Sequence, residues 1–467
     1  MAKAVETAAT RKLPDLPVAP GRLPLLGHSM SLLRSPFAFL QSLTVIGDIV
    51  RVDIGTLPVY MLTRPELVHQ ILVTKARDIQ RGILFERVRP LHGNGLTVAE
   101  GQAHLRQRRL LQPVLHPNAI GGYVETMRRN TQALADSWRE GQRIDVSQVT
   151  TDLILAITTD AMFGMSVEPA AVRTVRAAVP AILGNLMVRT QMPVFLERFP
   201  LPVNRRFEAA ARDVRRVVDE VVAHRREHPS EEGDLIGMLL SARDPESGEP
   251  MSARQVRDEA VGVFINGIAT TATTLAWFLH QLARNPDSEE RLLAEVEAVR
   301  GDGTPLDQAL GRLGYTRRVI QEVLRLHPLL MLMRRTTRSL TLGGVEIPPG
   351  VELGYSPTAL HRDPAVYPEP YRLDPDRWLP ERAKPLPAGA FAAFGEGRHR
   401  CIGEHFAWAE LLVAAAVLLP RWKLRHADDH GAEDVREVNA IHPRPDRLHM
   451  VLTARTAPDR GRAAPEA

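Results

Sequence analysis

The chain has 467 residues and a formal net charge of +4, and 44% of its residues are hydrophobic against 24% charged. This composition is ordinary for a globular protein with a large core, and the lack of a basic tract argues against nucleic acid as a partner. No run of about 18 apolar residues and no secretory signal is present, and a lone cysteine suits a reducing cytoplasm, where we expect the protein without a membrane anchor.

The two ends of the chain have a different composition from the rest. Residues 1–20 are rich in Ala, Thr and Pro and predict a disordered tail, as do residues 456–467. Residues 48–55 alternate apolar and polar side chains, which predicts a half-buried strand, and residues 59–62 complete a predicted hairpin. No linker or repeat interrupts the remainder, so we expect a single domain over residues 21–455.

The middle of the chain is predominantly helical by pattern. From about Leu67 to Leu330 the apolar spacing predicts helices joined by polar and Pro-bearing connections. Later stretches at Thr336–Leu342, Val351–Ser356 and Leu448–Thr453 predict strands. The predicted fold class is therefore mainly α with small β-sheets, an α+β architecture.

One predicted helix is unusually long and apolar. Ser252 and Gln255 fit a capping box, and the helix should continue to Arg284, before an Asn-Pro pair. Its roughly 32 residues would span about 48 Å at about 1.5 Å per residue. Because few residues from Ala260 to Leu279 are charged, the helix is expected to be buried on almost every side.

The centre of this helix reads Asn266-Gly267-Ile268-Ala269-Thr270-Thr271. A glycine in mid-helix costs about 1 kcal/mol relative to alanine. Threonine hydroxyls can compete for backbone carbonyls and open the turn, which would leave room for small molecules. The alternative is a plain core helix whose hydroxyls bond to the preceding turn, and the stretch alone leaves both open.

A charged pair follows on a later predicted helix. Glu322 and Arg325 lie on one helix face, a spacing that is common for a solvated surface pair. Their neighbours are mostly apolar, however, which favours burial, and a buried pair needs further hydrogen-bond partners. Arg377, in the stretch Asp374–Trp378, is a candidate third partner.

The stretch Phe394–Gly403 contains the only cysteine of the chain, Cys401. Its glycines allow a tight turn and the close approach of a flat group. Arg398, His399 and Arg400 surround the thiol and should favour its thiolate. A thiolate offered from a Gly-rich loop before a helix is a suitable axial ligand for haem iron. A buried structural cysteine and a nucleophile with a remote histidine are the alternatives.

The pattern Phe394-Gly395-x-Gly397-x-His399-x-Cys401-x-Gly403 resembles the haem-ligand loop of the cytochromes P450, the haem-thiolate monooxygenases. This resemblance implies the cytochrome P450 fold, in which haem b lies between the long central helix and the cysteine loop. Cys401 would then be the axial ligand of the iron, and Phe394 and Gly403 would border the cofactor.

The resemblance extends to the long helix but is incomplete there. Gly267, Thr270 and Thr271 match the Gly-x-acid-Thr-Thr element of the family, whereas Ala269 occupies the usual acidic position. In the family the threonine steadies bound oxygen and the acid helps to relay protons. Thr270 can keep the first role, but Ala269 cannot relay a proton. Protons are therefore expected to arrive through ordered water, another side chain or a polar group of the substrate.

Family comparison also implies which residues hold the haem propionates and brace the cysteine loop. Guanidinium groups bind carboxylates well, although each candidate could instead be a solvated surface charge. The implied propionate residues are His104, Arg108, Arg334 and His399, with Arg335 as a register alternative to Arg334. The implied bracing triad is Glu322, Arg325 and Arg377.

The resemblance to soluble actinobacterial members implies insertion of one dioxygen atom into a C–H bond of a lipophilic small molecule. A terpene in an antibiotic or other secondary-metabolite pathway is the expected substrate, with a hydrocarbon first. The family implies substrate contacts at residues 82–96, 182–199, 263–270 and 329–333 and near Ile441. Those stretches are rich in apolar side chains, which could equally be core.

Electrons must come from other proteins, because the sequence has no flavin- or nicotinamide-binding glycine fingerprint. We expect a ferredoxin and a ferredoxin reductase as partners of a monomer. Arg106, Arg109, Arg398 and Arg400 are expected to steer an acidic ferredoxin. The alternatives are a peroxide-driven or rearranging haem-thiolate enzyme, a non-catalytic haem-binding sensor or carrier, and a helical protein without haem.

Overall fold

The structure is a computed structural model that describes residues 11–164, 199–228, 234–244, 246–427 and 435–455, with short pieces between 170 and 184. For residues 11–20, the structure differs from the prediction of a disordered N-terminal tail. Strand β1, Arg11–Lys12, pairs in parallel with Val345 and Glu346. The other tail residues, 1–10 and 456–467, lie outside the described residues.

Helices make up most of the fold, which confirms the predicted class. In chain order they are α1 Ser29–Arg34, α2 Pro36–Ser42, α3 Pro65–His69, α4 Ile83–His92, α5 Gly101–Leu111, α6 Pro117–Ser137, α7 Val146–Phe163, α8 Pro202–Glu227, α9 Leu235–Ser241, α10 Ala253–Arg284, α11 Pro286–Gly301, α12 Leu306–Ala309, α13 Gly314–Leu326, α14 Pro357–His361, α15 Pro380–Ala383 and α16 Glu404–Leu418.

The strands form small sheets beside the helices. They are β2 Ile49–Ile54, β3 Leu57–Leu62, β4 Ile79–Arg81, β5 Arg143–Asp145, β6 Leu332–Thr336, β7 Leu340–Leu342, β8 Val345–Ile347, β9 Glu352–Tyr355, β10 Trp422–His426, β11 Glu437–Val438, β12 Arg444–Pro445 and β13 His449–Ala454. The largest sheet has the order β2-β3-β9-β6-β4, and smaller sheets have the orders β1-β8-β7, β10-β13-β5 and β11-β12.

The predicted hairpin is confirmed as β2 and β3, which pair antiparallel with Val52 opposite Val59. Gly55 turns the chain at a φ of +62°, a value that glycine adopts without steric cost. The predicted strand at 336–342 is wrong in its extent, because Thr336 ends β6 and Leu340 begins β7. β9 then joins the hairpin in parallel, with Val59 opposite Glu352.

Helix α10 passes through the centre of the main hydrophobic core. It begins and ends as predicted, and the Ser252 hydroxyl caps it by accepting a hydrogen bond from the Gln255 backbone N–H at 3.2 Å. It packs against α4, α7, α8, α9, α13 and α16. Among the described residues it is the one helix long and apolar enough to cross a membrane, and most of it is buried inside the protein.

Candidate functional site

The cysteine loop is folded tightly by its glycines and by one backbone hydrogen bond. The Cys401 N–H donates to the Phe394 carbonyl at 2.8 Å, which closes the loop immediately before α16. Gly395 and Gly397 have φ values of +69° and +63°. A side chain at Gly397 would also collide with the Leu72 carbonyl. Sequence and packing therefore fix the backbone that presents the thiol.

The Cys401 side chain is accessible although it lies within the fold, so it borders an interior space rather than the outer surface. Burial raises the pKa of the thiol, while the Gly403 N–H and the Arg108 and Arg400 charges lower it by less. Neighbouring cations thus favour the thiolate as expected, but burial outweighs their effect in the protein without metal. Iron binding itself must displace the proton, as it does for thiol ligands generally.

Two of the three cations expected beside Cys401 contribute little positive charge there. Burial, with Arg81 and Arg334 next, lowers the pKa of His399 well below its usual range, so its imidazole is neutral. Arg400 is ion-paired with Glu404 at 2.6 Å. Burial therefore remains the main cause of the raised thiol pKa, and the Glu404 charge raises that pKa further.

One stripe of α10 is open on an otherwise buried helix. Asn266 and Thr270 are exposed and Val263, Gly267 and Thr273 are half-buried, at a spacing of three to four residues. Because helices surround α10 on its other sides, this stripe opens onto an interior space. A side chain added at Gly267 would meet no atom within 4 Å. Small side chains therefore create the space beside the helix.

The helix itself remains regular through this stretch. The Thr270 hydroxyl donates to the Asn266 carbonyl at 2.7 Å, which is the ordinary bond to the preceding turn. Of the two alternatives that the sequence left open, the structure therefore has the plain helix with hydroxyls bonded to the preceding turn. Ala269 is half-buried beside the same space. Thr271 is buried and hydrogen-bonds to Glu410, a buried carboxyl whose pKa burial raises well above its usual value.

Two of the predicted propionate residues form a buried pair. The rings of His104 and His399 stack with centroids 4.4 Å apart and planes 13° apart. Within the described part of the chain, none of their four ring nitrogens has a hydrogen-bond partner. Burial, with the charge of Arg81 next, lowers the pKa of His104 to about 4. Unpartnered buried donors are rare in native proteins and indicate a missing acceptor.

Guanidinium groups surround the histidine pair. Arg108 donates to the Arg400 carbonyl at 2.7 Å, and the buried Arg334 donates to the Met333 carbonyl at 2.8 Å. Arg398 has a buried Nε without a partner among the described residues. Arg335, the register alternative, instead pairs with carboxylates of its own, Glu86 and Glu352, both at 2.6 Å.

Arg81 was missed by sequence reasoning. It ends β4, and burial together with the charge of Arg334 lowers its pKa to about 9. Its Nε has no partner in the described chain, and Glu100 lies 3.8 Å away. No local pattern singles out an arginine at the end of a short strand, because only the pairing of β4 with β6 brings it beside Arg334.

His104, His399, Arg81, Arg108, Arg334 and Arg398 form a cation cluster that is a candidate binding site for the haem propionates. Glu100 is the one carboxylate recorded within 4 Å of the cluster in the described chain, at 3.8 Å from Arg81 and 3.9 Å from His399. Several cations and unpartnered N–H donors thus converge with too little negative charge. Two carboxylates would supply the missing acceptors and charge, so these residues fit a haem.

The bracing triad is assembled as the sequence suggested. Arg325 donates to Glu322 at 2.9 and 2.7 Å, and Arg377 approaches the same carboxylate at 3.3 Å. Neither Glu322 nor Arg325 is exposed. The Trp378 indole N–H adds a bond to Glu322 at 2.9 Å. A buried pair with this many partners satisfies the conditions under which such pairs are stable.

The triad connects to the cysteine loop through a histidine that received no role from the sequence. Arg325 donates to the His361 carbonyl at 2.7 Å. The His361 ring nitrogen Nε2 accepts from the Ala392 backbone N–H at 3.0 Å. Ala392 lies two residues before Phe394, so the triad positions the start of the loop.

Most of the arginines expected to steer a partner are already paired within the chain. Arg106 forms ion pairs with Asp244 at 2.8 Å and Glu249 at 3.3 Å. Arg109 pairs with Glu246. These three carboxylates belong to the turn between α9 and α10, which therefore covers the basic face of α5. With Arg400 paired to Glu404 as well, Arg398 is the remaining candidate without a carboxylate partner in the described residues.

The predicted pocket stretches are only partly described. Residues 185–198 of the second stretch lie outside the described residues. The Leu330 backbone N–H donates to the Ile441 carbonyl at 2.9 Å, so the fourth and fifth stretches are in contact. The stretch at 263–270 carries the open stripe of α10.

Three comparisons place this site among known proteins. The family model described as Cytochrome P450 matches residues 17–450. The chain is 38% identical to cyclooctat-9-en-7-ol 5-monooxygenase of Streptomyces melanosporofaciens, over 87% of this chain and 89% of the relative. It is 33% identical to pentalenene oxygenase of Streptomyces avermitilis, over 94% and 97%. The heme domain of cytochrome P450DA superposes with a TM-score of 0.83 at 25% identity, covering 94% of this chain and 98% of that structure.

Proposed function

This chain belongs to the cytochrome P450 family, and from that membership we propose that it oxidises a terpene in a pathway of secondary metabolism, such as antibiotic biosynthesis. It is a haem-thiolate monooxygenase whose cofactor is haem b. Cys401, the only cysteine of the chain, provides the thiolate. The reaction consumes a C–H compound, dioxygen, two electrons and two protons, and it yields the hydroxylated product and water.

The observation that carries the proposal is a pair of accessible features on two helices in contact. Cys401 is accessible in the loop before α16, and α10, which packs against α16, has an open stripe along one side. When bound, the haem supplies the chemistry of dioxygen activation. The cation cluster holds its carboxylates and the triad fixes the loop, so that the chain's own contribution is position, charge and exclusion of water.

The residues assigned to the cofactor follow from this geometry. His104, His399, Arg81, Arg108 and Arg334 are proposed to donate to the propionates, because their N–H groups converge without enough acceptors. Phe394 and Gly403 bound the loop, and the Gly403 N–H lowers the pKa of the thiol. Thr270, on the open stripe, is proposed to steady dioxygen.

Two features support a terpene as the substrate. Two relatives with more than 30% identity are named for terpenoid oxidation. The described walls of the pocket also carry apolar side chains such as Leu330, Met331 and Ile441, which suit a lipophilic molecule.

The test combines spectroscopy with product analysis. Anaerobic reduction followed by carbon monoxide should give the red-shifted Soret band of a thiolate-ligated haem. Incubation with a ferredoxin, a ferredoxin reductase, labelled dioxygen and terpene hydrocarbons should give products that carry one labelled oxygen atom. A normal band with no product from any terpene would contradict the substrate class, whereas absence of the band would contradict ligation by Cys401.

Electrons are proposed to come from a ferredoxin and its reductase, with the enzyme acting as a cytoplasmic monomer. The docking surface is proposed to lie beside the cysteine loop, where Val73 adjoins Gly397 and Arg398 donates to the Ala76 carbonyl, between Lys75 and Arg77 in the chain. The acidic turn after α9 would compete with an acidic ferredoxin for Arg106 and Arg109, because it already neutralises them.

Glu246→Gln should therefore speed reduction by an acidic ferredoxin at low ionic strength, since it releases Arg109 from its partner. Stopped-flow reduction with increasing salt measures the effect, and Glu297→Gln, an equal charge change on the exposed face of α11, is the matched control. Equal rates for both variants, or rates that do not depend on salt, would count against docking on this face.

A peroxide-driven reaction is the second candidate, and Ala269 is the observation that favours it. Peroxide supplies both oxygen and reducing equivalents, so that no delivered electrons are needed. Product formed with hydrogen peroxide alone, at a rate above that with ferredoxin, reductase and dioxygen, would support this alternative.

A further inference from the structure

Asn266 is a polar residue on the open stripe of α10. Its side chain is exposed to the interior space, and its neighbours on the stripe are Val263, Gly267 and Thr270. It lies four residues, or about one helical turn, before Thr270. A carboxamide among apolar and small residues needs hydrogen-bond partners, because an unsatisfied polar group is costly away from water.

Thr97, from the loop after α4, and His92, the last residue of α4, lie beside this amide. The Asn266 Nδ2 donates to the Thr97 hydroxyl at 2.9 Å, and the Asn266 Oδ1 lies 3.4 Å from His92 Nε2. The other ring nitrogen of His92 is 3.2 Å from the Val88 carbonyl. Burial lowers the pKa of His92, so the imidazole is a neutral partner. The amide is therefore fixed on its side facing the loop.

The loop that carries Thr97 is itself attached to α10. The Leu96 N–H donates to Glu259 at 2.8 Å, and the Asn94 N–H donates to Asp258 at 3.0 Å. A side chain at Gly95 would come within 2.8 Å of the Asp258 carbonyl, so the loop can approach the helix only with glycine there. These contacts keep the Asn266 amide in one orientation before any ligand arrives, which lowers the cost of binding.

The hydrogen-bonding capacity of Asn266 exceeds what its neighbours use. A primary amide has two N–H donors and an oxygen with two lone pairs. Thr97 occupies one donor of the amide, and the single N–H of the neutral His92 faces the Val88 carbonyl, which leaves the amide oxygen without a donor from His92. One N–H donor and the oxygen of Asn266 therefore remain for a ligand. An alcohol hydroxyl has the complementary pair, whereas a hydrocarbon offers neither.

We infer that Asn266 recognises a hydroxyl group on the substrate, so that the preferred substrate is a terpenoid alcohol rather than the parent hydrocarbon. The inference rests on the proposed function and names the substrate class more narrowly. The hydroxyl anchors the molecule about one helical turn from Thr270, which directs oxidation to a carbon away from the existing oxygen. A pocket built to bind a hydroxyl discriminates strongly against an analogue that lacks it.

Equilibrium binding to the ferric enzyme tests this assignment without requiring turnover. Cedrol and its parent hydrocarbon cedrane serve as probes, and displacement of the low-spin Soret band gives both dissociation constants. Cedrol should bind more tightly to the wild type. Asn266→Leu, which keeps the size of the side chain, should weaken cedrol binding by about tenfold and leave cedrane binding nearly unchanged.

Two further variants separate recognition from structural damage. Thr97→Val leaves the pocket surface of Asn266 intact but removes its fixed partner, so cedrol binding should fall by less than in Asn266→Leu. Thr273→Val removes a different hydroxyl of the stripe two turns from Asn266 and should change both affinities by a similar factor. The carbon monoxide band and melting temperature show whether each variant is folded and haem-loaded.

An unchanged ratio of cedrol to cedrane affinity in folded Asn266→Leu would overturn the inference. If that variant instead lowers the product formed per electron pair equally for both probes, Asn266 holds a water molecule and not the substrate. Failure of both probes to bind the wild type would contradict the terpenoid class on which the inference rests. In the labelled-dioxygen assay, oxidation of the hydrocarbon as fast as the alcohol would overturn the inference and leave the proposed function intact.

Discussion

At the scale of single residues, the open stripe of α10 lies beside a position, Ala269, that departs from the pattern of the family. Ala269 has no group that can carry a proton, yet it is half-buried beside the open stripe. Glu410, whose pKa burial raises well above its usual value, lies behind the helix and contacts Thr271. The open stripe itself therefore carries threonine and asparagine but no acid.

Replacing Ala269 with an acid should restore a proton donor on the pocket side. Ala269→Glu is expected to give a several-fold rise in the product formed per pair of electrons. This rise is smaller than the rate enhancement that general acid–base catalysis typically gives. Parallel measurement of electron donor consumption, peroxide release and product checks this. Ala269→Gln, which has the same shape without the acid, is the control, and equal coupling in the two variants would contradict the prediction.

Glu259 gives a second prediction at this scale. Burial raises its pKa to about 8 from its ordinary 4.5, so the folded protein favours the protonated form. Its contribution to stability is complete below about pH 4.5 and is lost as the pH rises through about 8. Glu259→Gln keeps an acceptor for the Leu96 N–H but removes the titration.

Wild type and Glu259→Gln should therefore melt at similar temperatures at pH 5.5, and the variant should melt several degrees higher at pH 8.5. Thermal unfolding at the two pH values measures this difference. A wild-type melting temperature that falls no faster with pH than that of the variant would exclude a buried, protonated Glu259.

Individual residues also show what sequence could and could not predict. Cys401, Glu322 and Arg325 carry spacing that the chain itself displays, so their positions followed from pattern. Arg81 and His361 act through contacts with residues far away in sequence, which no local pattern encodes. The thiol pKa was misjudged because counting nearby cations ignores desolvation, which dominates at a buried group.

At the scale of elements, the triad makes α13 the support of the cysteine loop. Glu322 accepts hydrogen bonds from Arg325, Arg377 and Trp378. In the described part of the chain, neither Arg325 nor Arg377 has a second carboxylate as an ion-pair partner. Removal of the shared carboxylate leaves buried guanidinium groups without compensation. Such a loss typically costs about 3–5 kcal/mol, against a total stability of about 5–15 kcal/mol.

Glu322→Ala should therefore yield little folded, haem-loaded protein. Glu369→Ala is the matched control, because Glu369 and Arg372 form a pair of the same i, i+3 spacing whose side chains are 70% and 66% exposed. Exposed pairs contribute about 0–1 kcal/mol, so the control should melt within a few degrees of wild type. Soluble yield and the carbon monoxide band check both, and similar outcomes would mean that the triad is not a brace.

The elements themselves were predicted to different degrees. The hairpin of β2 and β3 and the whole of α10 follow from local patterns, namely alternation around a glycine turn and a capped apolar run. The parallel pairing of β3 with β9 joins residues almost 300 positions apart in the sequence. Alternation predicts that a strand exists but not its partner, so the sheet order had to come from the structure.

At the scale of the whole molecule, the helical core stabilises the fold, whereas the cation cluster is suited to binding an anion. The main hydrophobic core is apolar and includes α10. The cation cluster around Arg81, Arg334, His104 and His399 is also buried, but it carries an excess of positive charge. The charge of Arg334 lowers the pKa of Arg81, and the arginines lower the pKa values of both histidines, which is a destabilising arrangement unless an anion is bound.

Arg81→Met should therefore have opposite effects in the two states of the protein. It keeps the apolar stem and removes one charge, so the melting temperature of the haem-free protein should rise relative to wild type. The haem-loaded variant should melt lower, because one propionate donor is lost. Loss of the Arg81 bond to the Leu96 carbonyl, 3.2 Å long, affects both states alike, so a shift of the same sign in both would contradict this account.

The unpartnered stack of His104 on His399 has a consequence for how the enzyme accumulates in a cell. Without haem, the buried cations of the cluster lack the propionates as counterions, so the free energy of unfolding is lower than in the haem-loaded protein. The haem-free chain is therefore more susceptible to proteolysis until the cofactor binds. Supply of haem by the host, more than the rate of translation, should then set the amount of mature enzyme. Cells starved of iron would make the polypeptide and lose it.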